Sequence, residues 1–259
     1  MLSKYQNKKT IAVIPARMQS SRFYGKPLAK ILGKEMLQWV YEICTASNFL
    51  KEVYVATDHD DIRRFCEEKH IPCVMTSPEH KNCAERSNEV CQKVKAEFVI
   101  EVQGDEPTLL PQDVDSFIDQ AFDFEQFDVV TQYTRISQEE ALNPNAVKLV
   151  VGPGQKALFF SRCPIPYNFK VKNPDYYKQV GLYVWTADAL KRFSATPTGY
   201  LERAEDTHML RLVESGFDGR LVETKISSVG VDVPDDIAQA EEFLRRRQQS
   251  SLTGVKSRE

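Results

Sequence analysis

The sequence has few of the residues that build metal clusters, disulfide frameworks or membrane spans. It contains four histidines and six cysteines, with no CxxC pair and no histidine partners at zinc-finger spacing. We interpret the cysteines as free or buried thiols in a reducing compartment. No apolar stretch is long enough to cross a bilayer, and the polar run 3–10 leaves no core for a secretion signal. These absences predict a cytoplasmic protein without a membrane partner.

The sequence also lacks a surplus of either charge. Its 34 basic and 37 acidic residues give a net charge of −3. Such a balance predicts no nucleic-acid partner, although a single cleft can still be strongly basic. The 259 residues are enough to bury one sizeable core.

Strand and helix patterns alternate through the first half of the chain. The short apolar runs that predict strands are 10–14, 52–56, 72–75, 98–102 and 128–132. The segments with helical periodicity are 36–47, 59–69, 84–95 and 111–122, with Asp58 as N-cap of the second. This order predicts an α/β fold with a mostly parallel, Rossmann-like sheet between helices. Ligands bind beyond the carboxyl ends of such strands, so the loops after Ile14 and Val102 are the expected site.

The second half has a different pattern. Two strands, 147–151 and 158–161, are predicted to flank a Gly-Pro-Gly turn, and a long strand is predicted at 177–186. A helix at 203–214, a short strand at 227–231 and a last helix at 234–247 are predicted to follow. We expect a single domain over 1–247, with an inserted β-rich lobe at about 152–186. The polar stretch 248–259 is expected to be a disordered tail.

The loop after the first strand concentrates positive charge. Arg17, Arg22 and Lys26 lie in it together with serines and Gly25. Arginine and lysine side chains in one loop suit a triphosphate, which carries about four negative charges. The pattern is neither a Walker P-loop nor a GxGxxG turn. By composition alone, a solvated basic loop explains it equally well.

Two aspartates far apart in the sequence follow apolar runs. Asp105 comes after the strand 98–102, and Asp232 follows the run at 227–231. Two carboxylates together with phosphate oxygens suit Mg²⁺, which is held by few protein ligands. Taken alone, Asp105 also fits a turn, and Asp232 fits an N-cap before Pro234.

Five motifs follow one another along the sequence. Pro-Ala-Arg-x-x-Ser-x-Arg-x-x-Gly-Lys-Pro-Leu spans 15–28, and Val-Gln-Gly-Asp-Glu-Pro spans 102–107. Asn-Pro-Asn-x-Val-Lys, Ser-Arg-x-Pro-Ile-Pro and Gly-Val-Asp-x-Pro-Asp-Asp stand at 143–148, 161–166 and 230–236. In this order they resemble the CMP-Kdo synthetases, which are 3-deoxy-manno-octulosonate cytidylyltransferases of the nucleotide-diphospho-sugar transferase fold. The similarity extends over about residues 9–245.

The resemblance implies an enzyme that couples CTP to a 2-keto-3-deoxy sugar acid, Kdo or a close relative, and releases pyrophosphate. It implies Mg²⁺ held by Asp105 and Asp232, catalysis by these two with Arg17 and Lys26, and a homodimer built partly around 168–184. The implied nucleotide contacts are Ala16, Arg17, Arg22, Lys26, Arg86, Gln103 and Gly104. The implied acceptor contacts are Arg162, Gln179, Tyr183, Glu202 and Glu205.

Several positions depart from the family pattern. Gln179 stands where the family usually has histidine, and His208-Met209 replace a Glu-Gln pair. Cys83-Ala84 replace Gly-Thr, and Tyr24 replaces a proline. Changes on the acceptor side leave open a different acidic acceptor, such as an amino-octulosonate, a sialic-type acid or a phosphonate. A catalytically silent CTP-binding protein is a third reading.

Overall fold

The computed structural model describes residues 7–19, 22–225 and 228–254. Eleven strands, β1 to β11, are formed in chain order by Thr10–Pro15, Lys30–Ile31, Lys34–Glu35, Val53–Thr57, Cys73–Met75, Phe98–Val102, Val129–Ile136, Lys148–Gly152, Lys156–Ser161, Tyr176–Thr186 and Gly219–Glu223. Nine helices, α1 to α9, are formed by Met36–Thr45, Asp60–Glu68, Cys83–Val94, Pro111–Ala121, Gln138–Ala141, Ala187–Ala195, Tyr200–Glu205, Met209–Glu214 and Asp236–Gly254. Both counts refer to the described residues.

One mixed sheet organises the fold. Its nine strands lie in the order β5-β4-β1-β6-β10-β7-β11-β9-β8, while β2 and β3 pair separately. The strands β5, β4, β1 and β6 are parallel, as are β7 and β11. The long strand β10 runs antiparallel between β6 and β7. The α/β class is confirmed, and the parallel arrangement predicted from the first half holds mainly in the block from β5 to β6.

Alternating side chains of β1 pack into two hydrophobic cores, one on each face of the sheet. Ala12 and Ile14 pack into one core with α1, α2 and α4, and Ile11 and Val13 pack into the other with α3 and α6. All four are fully buried, which explains the continuous apolar run in the sequence. Burying one such isoleucine or valine contributes about 1.5–3 kcal/mol. The strand is therefore fixed from both sides, and so is the loop that follows it.

The predicted helix 203–214 was wrong as a single element. Two short helices, α7 and α8, replace it, and the chain breaks at Asp206, whose φ of 47° lies in the left-handed region. Asp58 is not the N-cap of α2; His59 is, and its ring nitrogen accepts from the Asp61 amide at 3.2 Å. The apolar periodicity gave no sign of either local feature.

Other differences lie at the ends and edges of the sheet. The expected lobe at 152–186 contributes β9 and β10 to the main sheet. Residues 228–231 form no strand, and the first residue of that predicted strand, 227, lies outside the described part. The strand β11 was missed because its sequence, GRLVE, is short and partly charged. The last helix continues past Arg247 to Gly254, so the first part of the expected disordered tail is helical.

Six free cysteines are present, as the sequence predicted. Within the described part of the chain, no helix has both the length and the apolar character that a membrane span requires.

A close contact between β10 and the end of β6 positions the site. The register of β10 against β7 shifts between Val180 and Tyr183. The Thr131 hydroxyl donates to the Leu182 carbonyl at 3.0 Å inside this irregular stretch. The Gln103 amide donates to the Gly181 carbonyl at 2.9 Å. A Cβ at Gly181 would lie 2.8 Å from the Gln103 side chain, so only glycine fits there.

Gly181→Ala should lower the free energy of unfolding by about 1–3 kcal/mol, because the new methyl group overlaps the Gln103 side chain. Urea titration measures this change. Gly219→Ala is the matched control, since its Cβ would meet Ala157 at an ordinary 3.5 Å. Equal stability of the two variants would contradict the close approach of β10 to Gln103.

Candidate active site

A cavity of about 450 Å³ lies beyond the carboxyl ends of β1 and β6, where the alternating pattern placed the site. It is lined by the loops after these strands, the start of α3, the end of β9 and the turn between α7 and α8. The lining residues are Pro15, Ala16, Arg17, Gln19, Arg22, Lys26, Pro27, Lys81, Asn82, Cys83, Gln103, Gly104, Asp105, Arg162, Glu202, Asp206, Thr207 and His208.

A tight turn aims Lys26 into the cavity. Gly25 has a φ of 73°, and its amide donates to the Met18 carbonyl at 2.9 Å. Glycine adopts this left-handed conformation without a steric penalty. A 3-10 turn over Lys26–Leu28 follows, with Pro27 buried inside it. The side chain of Lys26 is only 15% exposed, so its ammonium is held in a defined place.

The two predicted aspartates converge on that ammonium. Lys26 Nζ lies 2.7 Å from Asp105 Oδ2 and 4.0 Å from Asp232 Oδ1, and it donates to the Val231 carbonyl at 3.0 Å. The Val231 amide donates to the Asp105 carbonyl at 2.9 Å, which ties the two loops together. Arg22 Nη2 is 3.1 Å from the same Asp232 oxygen. Asp232 does not line the cavity itself but borders it through these two cations.

The paired carboxylates fit a hard divalent cation. Burial raises the pKa of Asp232, the Asp105 carboxylate raises it further, and Arg22 and Lys26 lower it. Two carboxylates this close favour any additional positive charge between or beside them. Residues 7–19, 22–225 and 228–254 contain no cluster of three or more His, Cys, Asp or Glu side chains suited to a metal. A cation here would have two protein carboxylates and would take its other ligands from substrate and water.

The cavity carries more positive than negative charge. Five cationic side chains line it against three carboxylates. Lys81 was not predicted; it stands just before α3, whose N-cap is Asn82. The Asn82 side chain accepts from the Glu85 amide at 3.0 Å, and Glu85 in turn accepts from the Lys81 amide at 2.8 Å. The Asn-x-x-Glu spacing is a helix-start signal that identifies this end of α3 from sequence, though not its direction into the cavity.

The floor of the cavity is an ordered polar cluster. The Gln103 amide nitrogen donates to Glu101 at 2.9 Å, and the Cys83 thiol donates to the Gln103 amide oxygen at 3.4 Å. Ser87 donates to the second Glu101 oxygen at 2.7 Å. Burial raises the pKa of Glu101 to about 7, and that of Cys83 to about 12. The cluster fixes both the orientation of the Gln103 amide and the protonated state of the Cys83 thiol.

Arg162 lines the cavity while holding three separate segments together. Its guanidinium donates to the carbonyls of Glu205, Pro144 and Asp206, at 2.5, 2.8 and 2.8 Å. The Glu205 carboxylate accepts from the Arg162 amide at 2.5 Å and from Ser161 at 2.8 Å. A guanidinium has five N–H donors, so Arg162 retains donors for an anion. Glu205 does not line the cavity; it supports Arg162 from behind.

Glu202 lines the cavity but is engaged by a buried arginine. Arg211, 1% exposed, donates from Nε and Nη2 to the two Glu202 oxygens at 2.6 and 2.7 Å. Its Nη1 donates to Glu85 at 2.9 Å. This network joins α8 to α7 and α3 around one charge. Arg211 was not predicted, because a cation within an amphipathic helix looks the same whether it is buried or exposed.

Three other predicted contacts lie outside the cavity lining. Arg86, 1% exposed, bonds to Thr76 and to Asp58, the latter at 3.0 Å, and so ties the ends of β4 and β5 to α3. Gln179 donates to the Thr131 hydroxyl at 3.4 Å on β10. Tyr183 is also on β10 and is buried, with its ring next to a residue of the lining.

That neighbouring residue is His208, which sequence analysis identified only as a departure from the family pattern. Its ring centroid lies 5.8 Å from that of Tyr183 and 6.2 Å from that of Phe193. Burial lowers the pKa of His208 to about 4, and Arg211 lowers it further, so the ring is neutral at neutral pH. Its Nε2 is buried at the cavity wall without a hydrogen-bond partner in the described part of the chain.

Comparisons with known proteins agree with this geometry. Residues 11–226 match the family model described as cytidylyltransferase. The chain is similar to 3-deoxy-manno-octulosonate cytidylyltransferase of Escherichia coli, with 39% identity over 87% of this chain and 92% of that protein. It is similar to the Geobacter metallireducens protein of the same name, with 39% identity over 93% and 99%. A solved structure of CMP:2-keto-3-deoxy-manno-octonic acid synthetase complexed with CTP superposes with a TM-score of 0.85, at 37% identity, over 92% of this chain and 99% of that one.

Arg211→Met should lower the free energy of unfolding by about 3–5 kcal/mol, because the buried Glu202 carboxylate would lose its cation and the partly buried Glu85 would lose an ion pair. Urea titration provides the measurement. Arg63→Met, which removes an exposed arginine from ion pairs on α2, should cost less than about 1 kcal/mol. Comparable losses in both variants would refute the buried network.

Proposed function

The chain belongs to the cytidylyltransferase family and is a nucleotidyltransferase; from this premise we propose that it couples CTP to 3-deoxy-manno-octulosonate and releases pyrophosphate. The observation that carries the proposal is the convergence of Lys26, Asp105 and Asp232 beside a cavity lined by five cations. Charges of this kind suit a triphosphate with its counter-cation. The two relatives are 3-deoxy-manno-octulosonate cytidylyltransferases, and the similar structure is a complex with CTP, which supports both substrates.

The cavity has a separate group of charged residues for each of the two proposed substrates. Arg17, Arg22, Lys26 and Lys81 lie around the strand ends and are proposed to hold the triphosphate. Ala16, Gln103 and Gly104 line the same end and are proposed to border the nucleoside. At the other end, Arg162 is proposed to bind the acceptor carboxylate with its remaining N–H donors. Glu202 and Glu205 are proposed to act indirectly, Glu202 through its ion pair with Arg211 and Glu205 through its support of Arg162.

The reaction is a single displacement at phosphorus. The acceptor hydroxyl oxygen attacks the α-phosphorus of CTP in line with the leaving oxygen. A P–O bond to the sugar forms as the bond to the β-phosphate bridging oxygen breaks, and pyrophosphate leaves with that electron pair while the hydroxyl proton passes to water. The residues contribute alignment and charge neutralisation: Lys26 and Arg17 face the departing phosphates, and Arg162 orients the acceptor.

Mg²⁺ is the proposed cofactor, held by Asp105 and Asp232. When bound, it would neutralise phosphate charge and increase the acidity of the attacking hydroxyl. Lys26 already balances the two carboxylates without a metal, which keeps them close together. Two carboxylate ligands with open positions suit Mg²⁺, which is usually held by one or two carboxylates and substrate phosphates.

Pyrophosphate release from CTP and Mg²⁺ tests the function, with Kdo, an amino-octulosonate, a sialic-type acid and a phosphonate as separate acceptors. We expect turnover with Kdo that exceeds the others by about tenfold or more in kcat/KM. His208, a neutral ring at a position where the family has an acid, is the observation that favours including the other acceptors. Faster turnover of another acid would replace Kdo. CTP binding without pyrophosphate release from any acceptor would contradict the enzymatic function.

Asp105→Asn should lower kcat by at least about 10³-fold, because it removes a charged oxygen that balances Lys26 and is proposed to bind Mg²⁺. Thermal unfolding should show a folded protein, since the backbone carbonyl of Asp105 still accepts from Val231. Initial rates at saturating CTP and acceptor provide the measurement. A rate within about threefold of the unmodified chain would remove Asp105 from the mechanism.

The proposed enzyme is a homodimer. Three apolar side chains in the connection from β9 to β10, Tyr167, Phe169 and Val171, are 82%, 81% and 65% exposed. A cluster of exposed apolar side chains is typical of an interface. Sedimentation should give twice the chain mass of 29.7 kDa. Phe169→Asp should yield a monomer. Met75→Asp, on the edge strand β5, is the control and should remain a dimer. A monomeric unmodified chain would contradict the proposed homodimer.

A further inference from the structure

Lys148, at the start of β8, is a buried cation outside the cavity lining. It is fully buried, and its ammonium donates to two backbone carbonyls, those of Asn143 at 2.8 Å and Arg162 at 2.6 Å. No carboxylate in the described ranges lies within ion-pair distance of it. Burial lowers the pKa of Lys148, Arg162 lowers it further, and Cys163 and Glu205 oppose this shift. Burying an ammonium without an oppositely charged partner costs free energy. The role of Lys148 must therefore lie in the groups that its hydrogen bonds hold in place.

The two carbonyls belong to the segments that fix Arg162. One is the carbonyl of Arg162 itself, at the end of β9. The other belongs to a turn in which the Asn145 amide donates to the Asn143 side chain at 2.9 Å, and the Ala146 amide to the Asn143 carbonyl at 3.2 Å. The next carbonyl of this turn, that of Pro144, accepts from the Arg162 guanidinium at 2.8 Å. Lys148 therefore anchors both the main chain of Arg162 and one of the groups that orient its side chain.

The same turn also reaches the phosphate loop. The Asn145 side chain accepts from Arg22 Nη1 at 2.5 Å. This is a single contact to an exposed arginine that is also paired with Asp232. The turn thus contacts the acceptor side through two hydrogen bonds, a part-buried one from Lys148 to the Asn143 carbonyl and one from Arg162 to the Pro144 carbonyl, and the phosphate side through one exposed bond. Loss of the anchor should therefore affect the acceptor side more.

We propose that Lys148 is a positioning residue that sets the orientation of Arg162 toward the acceptor carboxylate. The inference rests on the proposed function, since it assigns Arg162 to an acidic acceptor. Lys148 does not touch substrate; it acts by crosslinking the Asn143–Asn145 turn to the end of β9. Its charge makes these hydrogen bonds stronger than neutral donors would, which is the benefit that offsets its burial.

Lys148→Met keeps the length of the side chain and removes its donors. We expect the KM for the acceptor to rise about tenfold, while the KM for CTP and the kcat at saturating acceptor change by less than about threefold. Ile62→Val, on the buried face of α2, is the control for a general loss of stability. It should lower the thermal midpoint without changing either KM.

An unchanged acceptor KM in Lys148→Met, with a lowered thermal midpoint, would overturn the inference and leave the lysine a purely structural role. Equal increases in both KM values would also overturn it, because they indicate general disorder of the cavity. If the unmodified chain turns over none of the acidic acceptors, the proposed function fails, and that result is distinct from a failure of the inference.

Lys148→Arg provides the test if the methionine variant does not fold. It retains N–H donors and charge, so the acceptor KM should rise by no more than about threefold. In an Arg162→Lys background, Lys148→Met should have no further effect on the acceptor KM, because the group that Lys148 positions is already changed. Additive effects of the two substitutions would contradict the proposed action of Lys148 through Arg162.

Discussion

The ion pairs that join Lys26 to Asp105 and Asp232 determine how the rest of the site is arranged. The two aspartates come from loops that are far apart in the sequence, and their like charges would drive them apart without a cation. The ammonium compensates them, while the Val231 amide joins the two loops through the backbone. The position of Lys26 depends in turn on the left-handed Gly25 and the buried Pro27. The proposed metal site and the proposed phosphate site thus share the same three charges.

Buried cations form the supports around that centre. Arg211, Arg86 and Lys148 are all almost completely inaccessible to solvent, and each joins elements that meet at the carboxyl edge of the sheet. Arg211 joins three helices, Arg86 joins α3 to two strand ends, and Lys148 joins a turn to β9. Directional hydrogen bonds from these buried charges help to fix the loops at this edge. The stability of the edge and the precision of the site have the same physical origin.

The antiparallel strand β10 separates the two kinds of chemistry in the cavity. On one side lie the parallel strands, whose loops provide the cationic and acidic groups that are proposed to bind phosphates. On the other side lie β9 and the helices α7 and α8, which provide Arg162, Glu202 and His208. The close approach of Gly181 to Gln103 sets the distance between these halves. The proposed acceptor side can therefore vary, as His208 does relative to the family pattern, while Arg17, Lys26 and Asp105 on the proposed phosphate side match that pattern.

The sequence alone determined the α/β class, most of the element positions in the first half, and the motifs that contain Lys26, Asp105 and Asp232, because periodicity and local turn chemistry are short-range properties. It did not determine which charged residues are buried: Arg86, Glu202 and Arg211 carry the same side chains whether they face substrate or one another. Nor did it determine the break at Asp206, or the entry of Lys81 and His208 into the cavity. Those outcomes depend on tertiary contacts, some of which join segments more than a hundred residues apart, such as Arg211 with Glu85, and only tertiary packing decides them.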